Sequence, residues 1–458
     1  MNAFSLEDYV DDRAADGRFS VHRSIFTDPD VFDLEMKHIF GRTWIFLGLA
    51  SQVPHPHDYL SAWIGRQPVL VMRDGAGKLG AFYNTCRHRG ALVCHTEKGN
   101  ARVHVCHYHG WAYDSSGRNV DVKEKKHGAY TPAFDEDSHD LAPLAAFANY
   151  RGFLFGSAFA DVPSIEEHLG GARKFLDLVV DQSPQGVELV PGNSVYTFRA
   201  NWKLQIENCS DVYHLTTTHR SFLAINERRR SGESAYALRT VDSSSWRSPT
   251  LVRGSFTFPR GHAVVWGENP APEIRPLYAQ VDALRARVGE ATTRWMLGSN
   301  NLTVYPNMQL ANNAAMLMRV IRPLAVDRTE MRLYCVAPVG EPEHAREYRI
   351  RQFEDFYNAT GMATPDDNVS YEDCQDGYAA AAVDWQQGYA RGLACVEKGA
   401  DRYARELSIQ PDTSMSGHFS TGDETVFHSS YREWLRLMRE GLARGEPDES
   451  RGARGARP

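Results

Sequence analysis

Nowhere in this 458-residue chain does an apolar run approach the roughly 18 residues of a membrane span. The opening stretch, MNAFSLEDYVDDRAADGRF, has acidic residues where a secretory signal needs a basic segment followed by an apolar one. Cysteine is scarce, with seven in all, and Cys94, Cys209, Cys335, Cys374 and Cys395 show no disulfide-framework spacing. Positive charge is not in excess: 51 Lys and Arg stand against 58 Asp and Glu, for a net charge of −7. That balance argues against nucleic acid or an anionic membrane surface as the main partner. No internal repeat is present. These absences predict a soluble cytoplasmic chain, long enough for two domains and a large core.

The remaining two cysteines each lie beside histidines. Cys86-Arg87-His88 and Cys106-His107-Tyr108-His109 form a C-x-H pair and a C-x-x-H pair, 17 residues apart. Two thiolates and two imidazoles suit zinc, but structural zinc sites usually group cysteines as CxxC and histidines as HxxxH. Here each pair carries one of each. That suits a [2Fe–2S] cluster of Rieske type, with sulfur on one iron and nitrogen on the other. Gly90 follows the first pair and Gly110-Trp111 the second, which resembles the Rieske fingerprint, in which turn glycines set the two ligand loops and an aromatic covers the cluster. Histidine ligation raises the reduction potential above that of an all-cysteine plant-type cluster. Cys94, His95, His104 and His107 lack the paired spacing and are expected in ordinary buried or surface roles.

Short apolar or alternating runs between Trp44 and Phe159, punctuated by Asp74-Gly75 and Ser116-Gly117, predict antiparallel strands with the cluster ligands at two hairpin tips. Ser164 is a candidate N-cap with Glu167 at capping-box spacing. Strands are expected again at SVYTFRA, GHAVVWG, LTVYPNMQLA and AAMLMRVIRPL, with helices dominating after Glu343. The resulting partition is a Rieske unit at 41–160, a catalytic unit at 1–40 and 161–445, and a tail at 446–458 with disordered composition.

A second constellation lies in NWKLQIENCSDVYHLTTTHRSF. Glu207, Asp211 and His214 would share one face of a helix. His219, five residues beyond His214, would point roughly 140° away in an unbroken helix. Both imidazoles reach one metal only if the helix ends or bulges within Leu215–Thr218, where three threonines disfavour it. Two histidines and a carboxylate suit iron(II) with open positions for dioxygen. From the residues alone the carboxylate can be Asp211, or Asp366 or Asp367 after a proline turn.

Over nearly its whole length the chain resembles the large (α) subunit of Rieske non-heme iron aromatic-ring-hydroxylating dioxygenases. The blocks that carry the resemblance are the cluster motif, NWKLQIENCSDVYHLTTTH, YPNMQL and GMATPDDN. RVIRPL and RIRQFEDFYNATGMATPDD look most like the benzoate, toluate and anthranilate branch. The resemblance implies an α+β fold, in which a Rieske β-sandwich is inserted in a catalytic domain with a large antiparallel sheet surrounded by helices. It implies iron ligands at His214, His219 and Asp367, with Asp366 as the alternative. Asp211 would bridge an iron histidine to a cluster histidine of a neighbouring subunit, and Asn208 would line the substrate pocket. NADH electrons would arrive through a separate flavin and iron–sulfur reductase, and an aromatic acid and O2 would give a cis-diol. A small β subunit in an α3β3 assembly is preferred over α3. Terephthalate, anthranilate or salicylate oxygenases and Rieske monooxygenases or demethylases are the alternatives within the superfamily. A pure electron carrier would need neither the long remainder of the chain nor the histidine pair.

Overall fold

The computed structural model describes residues 6–128, 130–231, 250–313, 315–417 and 422–444. The tail at 446–458 lies outside the described residues. Between residues 45 and 157 the alternating runs form three antiparallel sheets. Leu79–Tyr83, Gln67–Arg73, Asp58–Ile64 and Lys98–Asn100 make a four-stranded sheet. Asn119–Asp121, Ala112–Asp114 and Val103–Val105 make a second, and Ala146–Tyr150, Phe153–Ser157 and Ile45–Leu49 a third. Leu70, Met72, Cys86, Cys106, Trp111 and Tyr113 share a small core of their own.

The rest of the described chain is built on one nine-stranded antiparallel sheet. Its order runs from Val187–Phe198 through Arg328–Pro338, Met316–Ala325, Met308–Asn312, Ser299–Val304, Ala263–Gly267, Arg253–Thr257 and Thr413–Ser416 to Glu397–Lys398. The expected strands all appear, and LTVYPNMQLA is a hairpin of two of them. Helices Glu343–Gln352, Thr364–Gly377 and His428–Ala443 supply the predicted helical character of the final third. Ser164 and Glu167 form the capping box: Ser164 Oγ accepts from Glu167 N at 3.2 Å, and Glu167 Oε2 accepts from Ser164 N at 3.0 Å. Helix and sheet are therefore mixed, around a large antiparallel sheet. No described helix is long and apolar enough to cross a membrane.

The smaller sheets are not loosely tethered to the large one. Trp44, Phe46 and Phe153 share a core with Phe175, Phe256 and Leu310. The Asn307 amide pairs with both backbone groups of Phe46, accepting from its N at 2.9 Å and donating to its O at 3.0 Å. Glu97, just before Lys98–Asn100, accepts from the Tyr334 hydroxyl at 3.3 Å and lies 3.4 Å from Arg332.

A buried carboxylate ties the chain ends to the helix that carries the site. Glu35, at the end of helix Pro29–Glu35, is fully buried. Its Oε1 accepts from Lys203 Nζ at 2.5 Å and Trp434 Nε1 at 2.7 Å, and its Oε2 from Trp202 Nε1 at 2.8 Å. Burial holds the Lys203 ammonium below its usual range even though Glu35 pulls the other way. Removing one charge from such a pair strands the other in a poorly solvating interior. Glu35→Gln is therefore expected to lower stability by about 3–5 kcal/mol, read as a fall in the urea midpoint. Adding Lys203→Met should recover part of that loss, and an unchanged midpoint in Glu35→Gln alone would show that the pair is not what joins these helices.

Candidate metal centres

The two cysteine loops have the same backbone construction. Cys86 N donates to Ala91 O at 2.8 Å and Gly90 N to Cys86 O at 2.9 Å; Cys106 N donates to Trp111 O at 2.8 Å and Gly110 N to Cys106 O at 2.9 Å. Each loop closes through a glycine in the left-handed region, Gly90 at φ 74° and Gly110 at φ 77°, which explains the glycine four residues after each cysteine. The second loop is the tip of a hairpin between Val103–Val105 and Ala112–Asp114. The first is not, contrary to expectation. It leads from Leu79–Tyr83 into the longer connection to Lys98–Asn100, which pairs with a different strand. Asn84 holds it in place, accepting from Val93 N and Cys94 N at 3.0 and 2.9 Å and donating to Cys94 O at 2.8 Å.

Cys86 and Cys106 are buried and in side-chain contact, and burial first, then Cys86, push the Cys106 thiol up. His88 and His109 are half-buried and face one another edge to face at 4.3 Å. His88 also stacks on Trp111 at 5.2 Å, and its buried Nδ1 has no hydrogen-bond partner. Two buried sulfurs on one side and two imidazoles on the outer side, one with an unsatisfied ring nitrogen, fit a [2Fe–2S] cluster with mixed ligands. Sequence reasoning missed Tyr113. Its hydroxyl accepts from Arg87 N at 3.0 Å, leaving its proton for Cys86 Sγ at 3.3 Å. The two-residue period of the strand puts Trp111 and Tyr113 on one face, a signal available in GWAYD. Cys94 and His104 pair with each other at 3.0 Å, as do His95 and His107.

The second centre depends on where a helix stops. Asn201 caps helix Trp202–Ser210, accepting from Lys203 N at 3.1 Å. The helix ends at Asp211, which is extended at φ −86°, ψ 113°. Asp211 Oδ1 accepts from Tyr213 N at 2.7 Å and His214 N at 3.2 Å, a side-chain turn that competes with continued helix. One helical turn then covers Leu215–Thr218 and stops at His219, before Arg220–Ser231 begins. The breaks thus fall on either side of the threonines, not within them. Glu207 does not share a face with Asp211 and His214. It is half-buried and packs against Tyr389 and Tyr431, whose hydroxyls both bond Oε1, and loss of solvent raises it to about 7 despite those bonds.

Both imidazoles turn inward. His214 Nε2 and His219 Nε2 lie 3.2 Å apart, and Asp367 Oδ1 is 3.4 Å from the first and 3.2 Å from the second. Among the described residues these three form a group whose potential ligand atoms all lie within 4.8 Å of one another. Asp367 stands in the first turn of Thr364–Gly377, and Pro365 starts that helix where a turn was expected. Burial would raise the Asp367 carboxyl, but hydrogen bonding from His219 and the charge of His214 hold it below its usual range. Asn208 Nδ2 donates to Asp367 Oδ1 at 3.2 Å.

The outer nitrogens face two other carboxylates. His214 Nδ1 is 3.1 Å from Asp211 Oδ2, and His219 Nδ1 is 3.6 Å from Asp366 Oδ2. Burial pulls the His214 ring down, and the hydrogen bond and charge of Asp211 more than offset it. Protons on the outer nitrogens leave two Nε2 lone pairs and a carboxylate oxygen converging on one point, which a divalent cation relieves. Two histidines and one carboxylate fit mononuclear non-heme iron(II). The site opens on a cavity of about 300 Å³, lined by Phe222, Leu223, Val265, Trp266, Phe356 and Asn208 among others.

Comparison with known proteins agrees with this pair of centres. Residues 43–135 match the Rieske [2Fe-2S] domain, and residues 188–440 match the ring hydroxylating alpha subunit (catalytic domain). The chain is 42% identical to the toluate 1,2-dioxygenase subunit alpha of Pseudomonas putida, over 96% of this chain and 95% of that one. It is 38% identical to the anthranilate 1,2-dioxygenase large subunit of Acinetobacter baylyi, over 94% and 92%. The structure of naphthalene 1,2-dioxygenase from Rhodococcus sp. bound to indole superposes with a TM-score of 0.78 at 24% identity, covering 93% of this chain and 95% of that one. The chain belongs to the ring-hydroxylating dioxygenase α subunits. It is an oxidoreductase whose cofactors are a Rieske [2Fe–2S] cluster and a mononuclear iron.

The inward and outward carboxylates can be separated by substitution. Asp367→Ala is expected to lose mononuclear iron and product formation with the cluster's absorption intact. Asp366→Ala, altering only the outer face of His219, should retain iron and lose at most 10–100-fold in affinity. Metal analysis of the two variants checks this, and the reverse pattern would reassign the ligand.

Proposed function

We propose that this chain is the terminal oxygenase subunit that cis-dihydroxylates a benzoate-type aromatic carboxylate in aromatic degradation. In this reading Cys86, His88, Cys106 and His109 hold the cluster, and His214, His219 and Asp367 hold the iron. Residues 41–160 form the electron-relay unit, and 1–40 with 161–445 the catalytic unit. The observation that carries the reading is the convergence of two imidazoles and one carboxylate at the wall of an aromatic-lined cavity. The toluate, 2-halobenzoate and anthranilate dioxygenase relatives, at 42%, 42% and 38% identity, supply the substrate class.

When bound, the two iron groups supply one-electron transfer and dioxygen activation. Overall, the aromatic acid, O2, NADH and a proton give the cis-diol and NAD+. The chain's own residues position and exclude. Asn208 fixes the Asp367 oxygen that faces the histidines. Apolar walls such as Phe222 and Phe356, whose rings lie 4.4 Å apart, keep water from the ring and confine it beside the triad. Asp211 sets the tautomer and orientation of His214, and its carboxylate, a quarter exposed, suits a bridge to a cluster histidine of a neighbouring subunit. The partners of this reading are a small β subunit in an α3β3 assembly and a flavin and iron–sulfur reductase, in the cytoplasm.

Turnover of benzoate under ¹⁸O₂ should yield a cis-diol carrying both labelled atoms, by product mass. A phenol with one labelled atom would replace the proposal with a salicylate-type hydroxylase. Asp211→Asn should leave both metals bound yet slow cluster re-oxidation on rapid mixing with substrate and O2 by on the order of 10–100-fold. A wild-type rate would sink the bridge, and an iron-free site would make Asp211 a ligand.

A further inference from the structure

The cavity contains a buried cation that its own protein leaves without a counter-ion. Arg319 lies on strand Met316–Ala325, in the interior of the nine-stranded sheet, directly opposite Gln309. Residues opposite one another in an antiparallel pair share a face, and Gln309 on that face donates to Gln205 O and Ile206 O of the helix Trp202–Ser210. Arg319 therefore rises from the sheet beneath the helix that leads to the histidines. It is 6% exposed and lines the cavity. Its Nε is buried without a hydrogen-bond partner, and among the described residues its guanidinium enters no ion pair. A buried charge left in that state is costly, and such a group is kept where something else completes it.

The other two arginines of the cavity wall are differently placed. Arg275 Nε is buried without a partner too, but its terminal nitrogens are committed to the protein, donating to Gly298 O at 3.3 Å, Asn312 O at 3.1 Å and the Asn312 side chain. Arg253 has interactions of its own. We infer that Arg319 is the anchor for the carboxylate of the aromatic substrate, an inference that rests on the aromatic-acid reading above.

The position of Arg319 matches the chemistry. In a 1,2-dioxygenation the carbon that bears the carboxylate is itself one of the two that gain oxygen. The carboxylate must therefore sit beside the reacting atoms, and its anchor beside the iron triad. Arg319 is near enough for its charge to act on both His214 and Asp367. The other groups that feel it, Tyr196, Tyr371 and Cys209, are held neutral by burial, and Asp367 is already turned to the two imidazoles. A planar guanidinium presents parallel donors that match a carboxylate edge. That contact would also hold the ring in one rotation, with carbons 1 and 2 toward the triad.

Nitrobenzene, which has the shape of benzoate without its charge, is the discriminating probe. Holoenzyme variants with cluster absorption and iron content verified are titrated with both compounds by calorimetry under anaerobic conditions, and KM is measured for each. Arg319→Gln should weaken benzoate binding on the order of 100-fold while changing nitrobenzene little. Arg319→Lys keeps the charge and should restore most of the preference for the acid. It also provides the answer if the Gln variant does not fold. Equal losses for both compounds would mark Arg319 as a structural residue and overturn the inference, as would undiminished benzoate affinity in Arg319→Gln. A wild-type enzyme that does not prefer any aromatic acid over nitrobenzene would sink the aromatic-acid reading itself, and this inference with it.

Discussion

Two imidazole nitrogens 3.2 Å apart with a carboxylate oxygen at 3.2 and 3.4 Å from them form an arrangement that a folded chain does not adopt for its own stability. With the ring protons on the outer nitrogens, which face Asp211 and Asp366, three electron-rich atoms would face one another at the cavity wall. The rest of the catalytic half is organised to hold them there. The helix Trp202–Ser210 is fixed at its start by Asn201 and by the Lys203–Glu35 pair, and along its length by Gln205 and Gln309. Asp211 then turns the chain so that His214 starts a new helical turn and His219 ends it. Asp367 arrives from a helix more than 140 residues later, with Asn208 clamping the oxygen that faces the histidines. A cation at that point converts mutual repulsion into coordination, so the positional rigidity of these elements is affinity for metal.

The cluster loops solve a related problem by other means. Their two cysteines are interior and belong to a core confined to residues 70–141, whereas the two histidines are only half-buried. In the proposed reading, electrons would leave through the imidazole side. The identical closure of the two loops, each by a left-handed glycine, places a one-residue difference between C-x-H and C-x-x-H on an otherwise matched frame. Tyr113 and Trp111 come from the strand that follows, so the same hairpin supplies ligands, cover and a hydrogen bond to sulfur.

Much of this was legible in the sequence wherever chemistry is local. Four cluster residues lie within two short motifs, and strands with period-two alternation were found where they were expected. The reading failed where the decisive contact is distant or where two local effects compete. Threonine propensity pointed to a break within Leu215–Thr218, but a side-chain turn at Asp211 acts first and the threonines are taken up in a helical turn. Helical spacing put Glu207 with Asp211, but the helix ends between them and Glu207 turns to tyrosines at 389 and 431. Asp366 and Asp367 could not be separated by inspection, since neighbours on a helix point about 100° apart and only the position of His219 tells inner from outer. Arg319 opens the RVIRPL block that carries part of the resemblance, but nothing in that block says what the arginine does. Its significance lies in what does not touch it.

A buried charge does not by itself mark function in this chain. The Glu35 carboxylate is fully buried, yet it accepts from three donors and pairs with Lys203, and so it is complete as it stands. His88 Nδ1 and Arg319 Nε, buried without partners, and the facing Nε2 atoms of His214 and His219, which meet only each other and a carboxylate oxygen, are by contrast incomplete. Each incompleteness differs in kind: an unpaired ring nitrogen between aromatic rings, converging lone pairs, and an uncompensated cation. Each calls for a different ligand, in turn a cluster iron, a divalent metal and an organic anion. Unsatisfied buried groups occur elsewhere in the described chain too, so position decides which of them matter. Two of them, Arg319 and the His214–His219–Asp367 group, line one cavity, as a site must if it is to hold a metal and a charged aromatic ring within reach of each other.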